Sequence, residues 1–147
     1  MFIKLHFELD VDQQLENKVP NRGYVIRLTS AISFKTKNGW TNPYLAIIDT
    51  GAHITVIPKR IWSKSVVNIL DEHKMAGIVP KEECSTQVQV GEMHCRLTDG
   101  ENYTKDIGFL CYMTSENNIP LIIGFKEILE KFKVFFDYTT NVAFIAD

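Results

Sequence analysis

The chain lacks a surplus of either charge: 16 Lys and Arg stand against 18 Asp and Glu, a formal net charge of -2 over 147 residues, with the two signs interspersed. That balance predicts no basic face for nucleic acid and no polybasic anchor for a membrane. Long apolar runs are missing too. None approaches the ~20 residues of a membrane span, and the opening "MFIKLHFELDVDQ" has no basic stretch followed by a long apolar one. A soluble, cytoplasmic protein is the expectation. Cysteine is scarce: Cys84, Cys95 and Cys111 form an odd set without a C-x-x-C pair, which argues against both a secreted disulfide framework and a zinc ribbon. They read as small core hydrophobes in a reducing compartment. No repeat, low-complexity tract or Pro/Gly/Ser linker divides the sequence, so residues 1–147 read as one domain, long enough to bury roughly two-thirds of its unfolded surface.

What is present is dense strand patterning. "FIKLHFEL" (Phe2 to Leu9) alternates apolar and polar residues, and the polar "DVDQQLENKVPNRG" after it reads as a loop, so residues 1–23 form an N-terminal strand and loop extension. "YVIRLTSAISFKT" and "PYLAIID" flank "KNGW", whose Asn38-Gly39 pair predicts a hairpin turn that delivers the second strand to Asp49. Asp99-Gly100 predicts another turn, and "VFFDYTTNVAFIAD" a closing hairpin around Tyr138 to Asn141. Two short helices are expected. One is "KRIWSKSVVNIL", with apolar residues near the i, i+4, i+8 spacing, and the other is "FKEILEKF". The sum is a mainly β fold of the small barrel or sandwich kind.

Within "LAIIDTGAHITVIP", Asp49 follows four apolar residues. A carboxylate leaving water costs several kcal/mol unless it is paired or protonated, so this one has a task. An isolated Asp-Thr-Gly arises by chance in roughly one such chain in a few tens, and it most often caps a turn after a strand. Here it ends an apolar strand, is followed by Ala52 and Thr55, and is answered about seventy residues later by "PLIIGFKEILEKF". These residues, across about 33–147, resemble the retropepsin-like aspartic peptidases.

The resemblance implies a closed β-barrel of the acid-protease half type, in which Asp49 is catalytic and Thr50, Gly51 and Ala52 support the active-site loop. Ile123 and Gly124 would pack against that loop, and Gly77 and Ile78 would form the tip of a flap over substrate. Two such aspartates share a proton across a two-fold axis, and this chain has a single Asp-Thr-Gly. Activity therefore implies a homodimer hydrolysing an extended peptide or protein substrate, without metal or organic cofactor. Retroviral members carry Asp where this chain has His53, and Arg where it has Phe125, so their interfacial ion-pair network is missing here.

Two other readings stand beside it. One is a catalytically silent module of the same fold that binds or dimerises. The other is a metal-binding β domain using His53, His73, His94 and the cysteines, although their spacings match no ligand set. His94 and Cys95, as neighbours on a strand, should point to opposite faces.

Overall fold

The computed structural model describes residues 1–76 and 85–147. The N-terminal pattern does not make one strand. It breaks at Leu5 into β1 (Phe2–Lys4) and β2 (His6–Val11), which belong to different sheets. Leu5 is buried and its N–H bonds to Ala143 O over 2.9 Å, so the chain turns where a core side chain and a ladder partner both hold it.

The stretch read as a loop contains α1 (Gln13–Lys18), capped by Asp12, whose carboxylate accepts the Leu15 N–H over 3.1 Å. Glu16 then accepts the Asn21 and Gly23 N–H groups over 2.6 and 2.7 Å, which turns the chain into β3 (Tyr24–Thr36). A capping aspartate thus starts a helix too short to show a period in the sequence.

The long β3 organises the molecule. It pairs with β2, with β4 (Gly39–Trp40) across the Asn38-Gly39 turn, with β5 (Tyr44–Ile48), and with β8 (Ser85–Thr98). From β5 the pairing passes to β10 (Ile122–Ile123), β6 (Thr55–Ile57), β9 (Ile107–Thr114) and back to β8. Because β8 also pairs with β3, these six strands form a closed circuit of ladders, in the mainly β fold the sequence implied. Its interior is filled by buried apolar side chains such as Ile32, Phe34, Ile57, Phe109 and Ile123. A second sheet of β1, β12 (Val142–Ala146) and β11 (Lys133–Asp137) adds Ile3 and Ile145 to the same core.

Both expected helices are shorter than their patterns. The first is α2 (Lys59–Trp62), and Asn68 to Ala76 is strand β7, zipped antiparallel to β8. Ser65 Oγ bonds back to Ile61 O over 2.9 Å and two β-branched valines follow, so the local preference for helix ends just where the free edge of β8 offers a ladder. The second becomes turns and a 3-10 segment, Leu129–Lys131. Glu127 interrupts it with φ 63°, and its carboxylate accepts the Leu110 N–H over 2.6 Å. Ile128 and Leu129 are still buried, so the apolar pattern was right and the helix was not. Among the described residues, the two short α-helices are α1 and α2.

Candidate active site

Alternation along β5 places Ala46 and Ile48 in the core and leaves Leu45 and Ile47 facing outward. Asp49 continues that outward row, half-buried, at the point where the strand stops. Its N–H still bonds to Ile123 O over 3.0 Å, so the backbone at the carboxylate is held by β10. Oδ1 accepts the Gly51 N–H over 2.8 Å, and the Ala52 N–H bonds to Asp49 O over 3.1 Å. The loop thus closes on its own aspartate. Thr50 and Gly51 are exposed, and Ala52 is half-buried.

The strand β10 enters between the two strands that flank this loop, parallel to β5 and antiparallel to β6. The link continues beyond it: Phe125 N–H bonds to Ala52 O and Lys126 N–H to His53 O, each over 3.0 Å. A Cβ on Gly124 would lie 2.8 Å from the carbonyl carbon of Ile54 and 3.0 Å from Ala52 O, so only glycine lets the two backbones pass this closely. Thr55, wholly buried, accepts the Gly124 N–H on Oγ1 over 3.0 Å. Asp49, Thr50, Gly51, Ala52, Ile123 and Gly124 are therefore brought together in one place. Gly77 and Ile78, the expected flap tip, lie outside the described residues.

In sequence Thr55 is only part of the motif, and the structure adds its role as the acceptor for the Gly124 N–H. The available signal was a hydroxyl inside "ITVIP", where every neighbour is apolar. His53 and Phe125 are both exposed and, among the described residues, linked through the neighbouring backbone, so an imidazole and a phenyl ring occupy the positions of the retroviral ion pair.

The metal reading gains no geometry: among the described residues no three His, Cys, Asp or Glu side chains converge. His94 is exposed and bonds to Asp106 Oδ1 over 2.7 Å, with Lys35 on the other carboxylate oxygen at 2.9 Å. Burial would raise the Asp106 pKa, but those two partners outweigh it and hold it below the ordinary carboxylate range. Cys95 faces the core instead, where burial pushes its thiol well up, and burial pushes the Cys111 thiol to about 12. Both are inert core groups, and Cys95 faces away from His94 as adjacency on a strand requires.

No helix among the described residues is long and apolar enough to cross a membrane. Comparison with known proteins matches residues 23–136 to the family model described as retroviral aspartyl protease. Among solved structures, the chain is similar to the EIAV protease complexed with the inhibitor HBY-793, with TM-score 0.42 and 16% identity, over 71% of this chain and 86% of that one. No curated protein matches it. The family match spans well over half of the sequence and includes the whole Asp49 loop and its β10 support, and this chain belongs to the retroviral aspartyl protease family.

Proposed function

We propose that the protein is an aspartic endopeptidase that works as a homodimer, with one Asp49 from each chain forming the dyad. The observation that carries this reading is the carboxylate of Asp49 itself. It stands half-exposed at the end of a core strand, oriented by the Gly51 N–H, inside a family whose shared name is that of an aspartyl protease. Two carboxylates that close cannot both ionise, so the pair holds one proton. The ionised partner takes a proton from a bound water, whose oxygen adds to the scissile carbonyl carbon. The protonated partner hydrogen-bonds the carbonyl oxygen as negative charge develops there. The tetrahedral diol then collapses, the C–N bond breaks, and the dyad returns a proton to the leaving amine.

In this reading Thr50 bonds across the two-fold axis to its mate, Gly51 leaves room for the backbone beneath the carboxylates, and Ile123 with Gly124 stiffens the loop from behind. Substrate binds extended, as an added strand under the hairpin tip assigned to Gly77 and Ile78. The chemistry calls for no metal or organic cofactor, and the proposed setting is the cytoplasm. The alternative, a silent binding or dimerisation module of the same fold, is favoured by the uncharged Phe125 beside His53.

Sedimentation and a cleavage assay on one sample decide between them. The peptidase is expected to run as a dimer, to cleave an unfolded apolar-rich protein best at mildly acid pH, and to lose that cleavage in Asp49→Asn while keeping its dimer. A monomer at micromolar concentration, inactive from acid to neutral pH, would overturn the peptidase in favour of the silent module.

A further inference from the structure

A cleft of about 290 Å3 opens beside the Asp49 strand, lined by the apolar Leu45, Ile47 and Pro120 and by the charged Glu8, Arg27 and Arg60. Its position follows from the strand geometry. Ile47 lies two residues before Asp49 on the same outward row, about 7 Å back along the strand. The register of β3 against β5 pairs Thr29 with Ile47, which brings Arg27, two residues back along the antiparallel strand, level with Asp49. Arg60 comes from α2 on the other side. Both arginines are exposed, and among the described residues neither belongs to an ion pair. Glu8 stands opposite Arg27 on β2, in the segment that precedes the family match.

The lining therefore carries two cations and one anion beside apolar side chains. An extended peptide repeats its same-face side chains at the ~7 Å spacing that separates Ile47 from Asp49. A peptide that runs along β5 with its scissile bond at Asp49 sets a side chain about two residues away over the cleft. A glutamate suits it best: its methylenes cover Leu45 and Ile47 while its carboxylate reaches the guanidinium groups, which hold oxygens in a fixed fork. Glu8 keeps the surplus to a single positive charge.

We propose that this cleft is a specificity subsite selecting an acidic side chain, glutamate above all, in the extended peptide bound at Asp49. The inference rests on the peptidase reading for the placement of the scissile bond, and its test separates the two. Fluorescein-labelled decapeptides with a central apolar pair, differing only in Glu, Gln or Lys two or three residues from it, are offered to the 147-residue protein. The Glu peptide is expected to exceed the Gln peptide about fivefold to tenfold in kcat/KM, with Lys lowest, and Arg60→Glu is expected to invert the order of Glu and Lys. Fluorescence anisotropy with Asp49→Asn reads the same preference without turnover. Cleavage of all three at equal kcat/KM overturns the subsite and leaves the peptidase standing. No cleavage, with tighter binding of the Glu peptide that Arg60→Glu reverses, overturns the peptidase and supports the subsite. Equal binding of the three peptides, or none, overturns the subsite.

Discussion

The backbone N–H of Gly124 donates to the hydroxyl oxygen of Thr55 over 3.0 Å, with both residues buried. This bond joins the strand behind the Asp49 loop to the strand that leaves it. Thr55→Val keeps the shape and removes the acceptor, leaving a buried N–H without a partner. The expected loss is about 1–3 kcal/mol in urea unfolding, and Thr55→Ser should recover most of it. A valine variant as stable as the parent would show that the bond is dispensable.

Two glycines of the site should respond differently to alanine. At Gly124 the new Cβ would meet backbone atoms of Ile54 and Ala52 at 2.8–3.0 Å, and backbone cannot swing aside. Gly124→Ala is expected to cost about 2 kcal/mol or more by chemical denaturation. At Gly51 the only close neighbour among the described residues is Asp49 Oδ1 at 3.2 Å. Gly51→Ala should change stability little and displace the carboxylate, so peptide cleavage falls while the unfolding midpoint stays.

Asp99 supplies a pH signature. Burial would raise its pKa, but N–H groups of Asn102, Lys4 and Glu101 outweigh that and bring it from its ordinary 3.8 to about 2. A depressed pKa contributes stability that is fully present above about 3.8 and is lost as pH falls through about 2. Solvent screening keeps the contribution below about 1 kcal/mol. Asp106 and Asp137 push the same way, so the informative quantity is the difference between parent and Asp99→Asn. Denaturant midpoints of the two should converge between about pH 4 and 2; a constant gap would mean that the carboxylate charge plays no part.

Arg96 sits between two rings, its guanidinium carbon 4.6 Å from the centroid of Trp40 and 4.2 Å from that of Tyr103. A planar guanidinium stacks on both faces and an ammonium does not. Arg96→Lys is therefore expected to cost about 1–2 kcal/mol and to change the Trp40 fluorescence environment in the folded state. An unchanged thermal midpoint would rule out a stabilising stack.

Much of the site was legible because its signals are local. Asp49 ends an apolar run, and a strand that buries alternate residues must turn the next one outward. Asn38-Gly39 and Asp99-Gly100 mark turns because those glycines take φ 143° and 95°. The length of a helix after Pro58 was not legible, since the free edge of β8 that draws Asn68 to Ala76 into a ladder lies far along the chain. Nor was the helix-breaking conformation of Glu127, which is stabilised by a bond to Leu110 on another strand.

The sequence by itself determined the alternation, the turns and the single Asp-Thr-Gly, because each follows from the period of a strand or the φ of a residue and its neighbours. Tertiary structure alone decided that β10 passes between β5 and β6, that Gly124 abuts Ile54, and that Arg27 and Arg60 line one cleft. Those relations exist only when ladders close between segments far apart in the chain, where the partner of each N–H is set by the packed sheet as a whole.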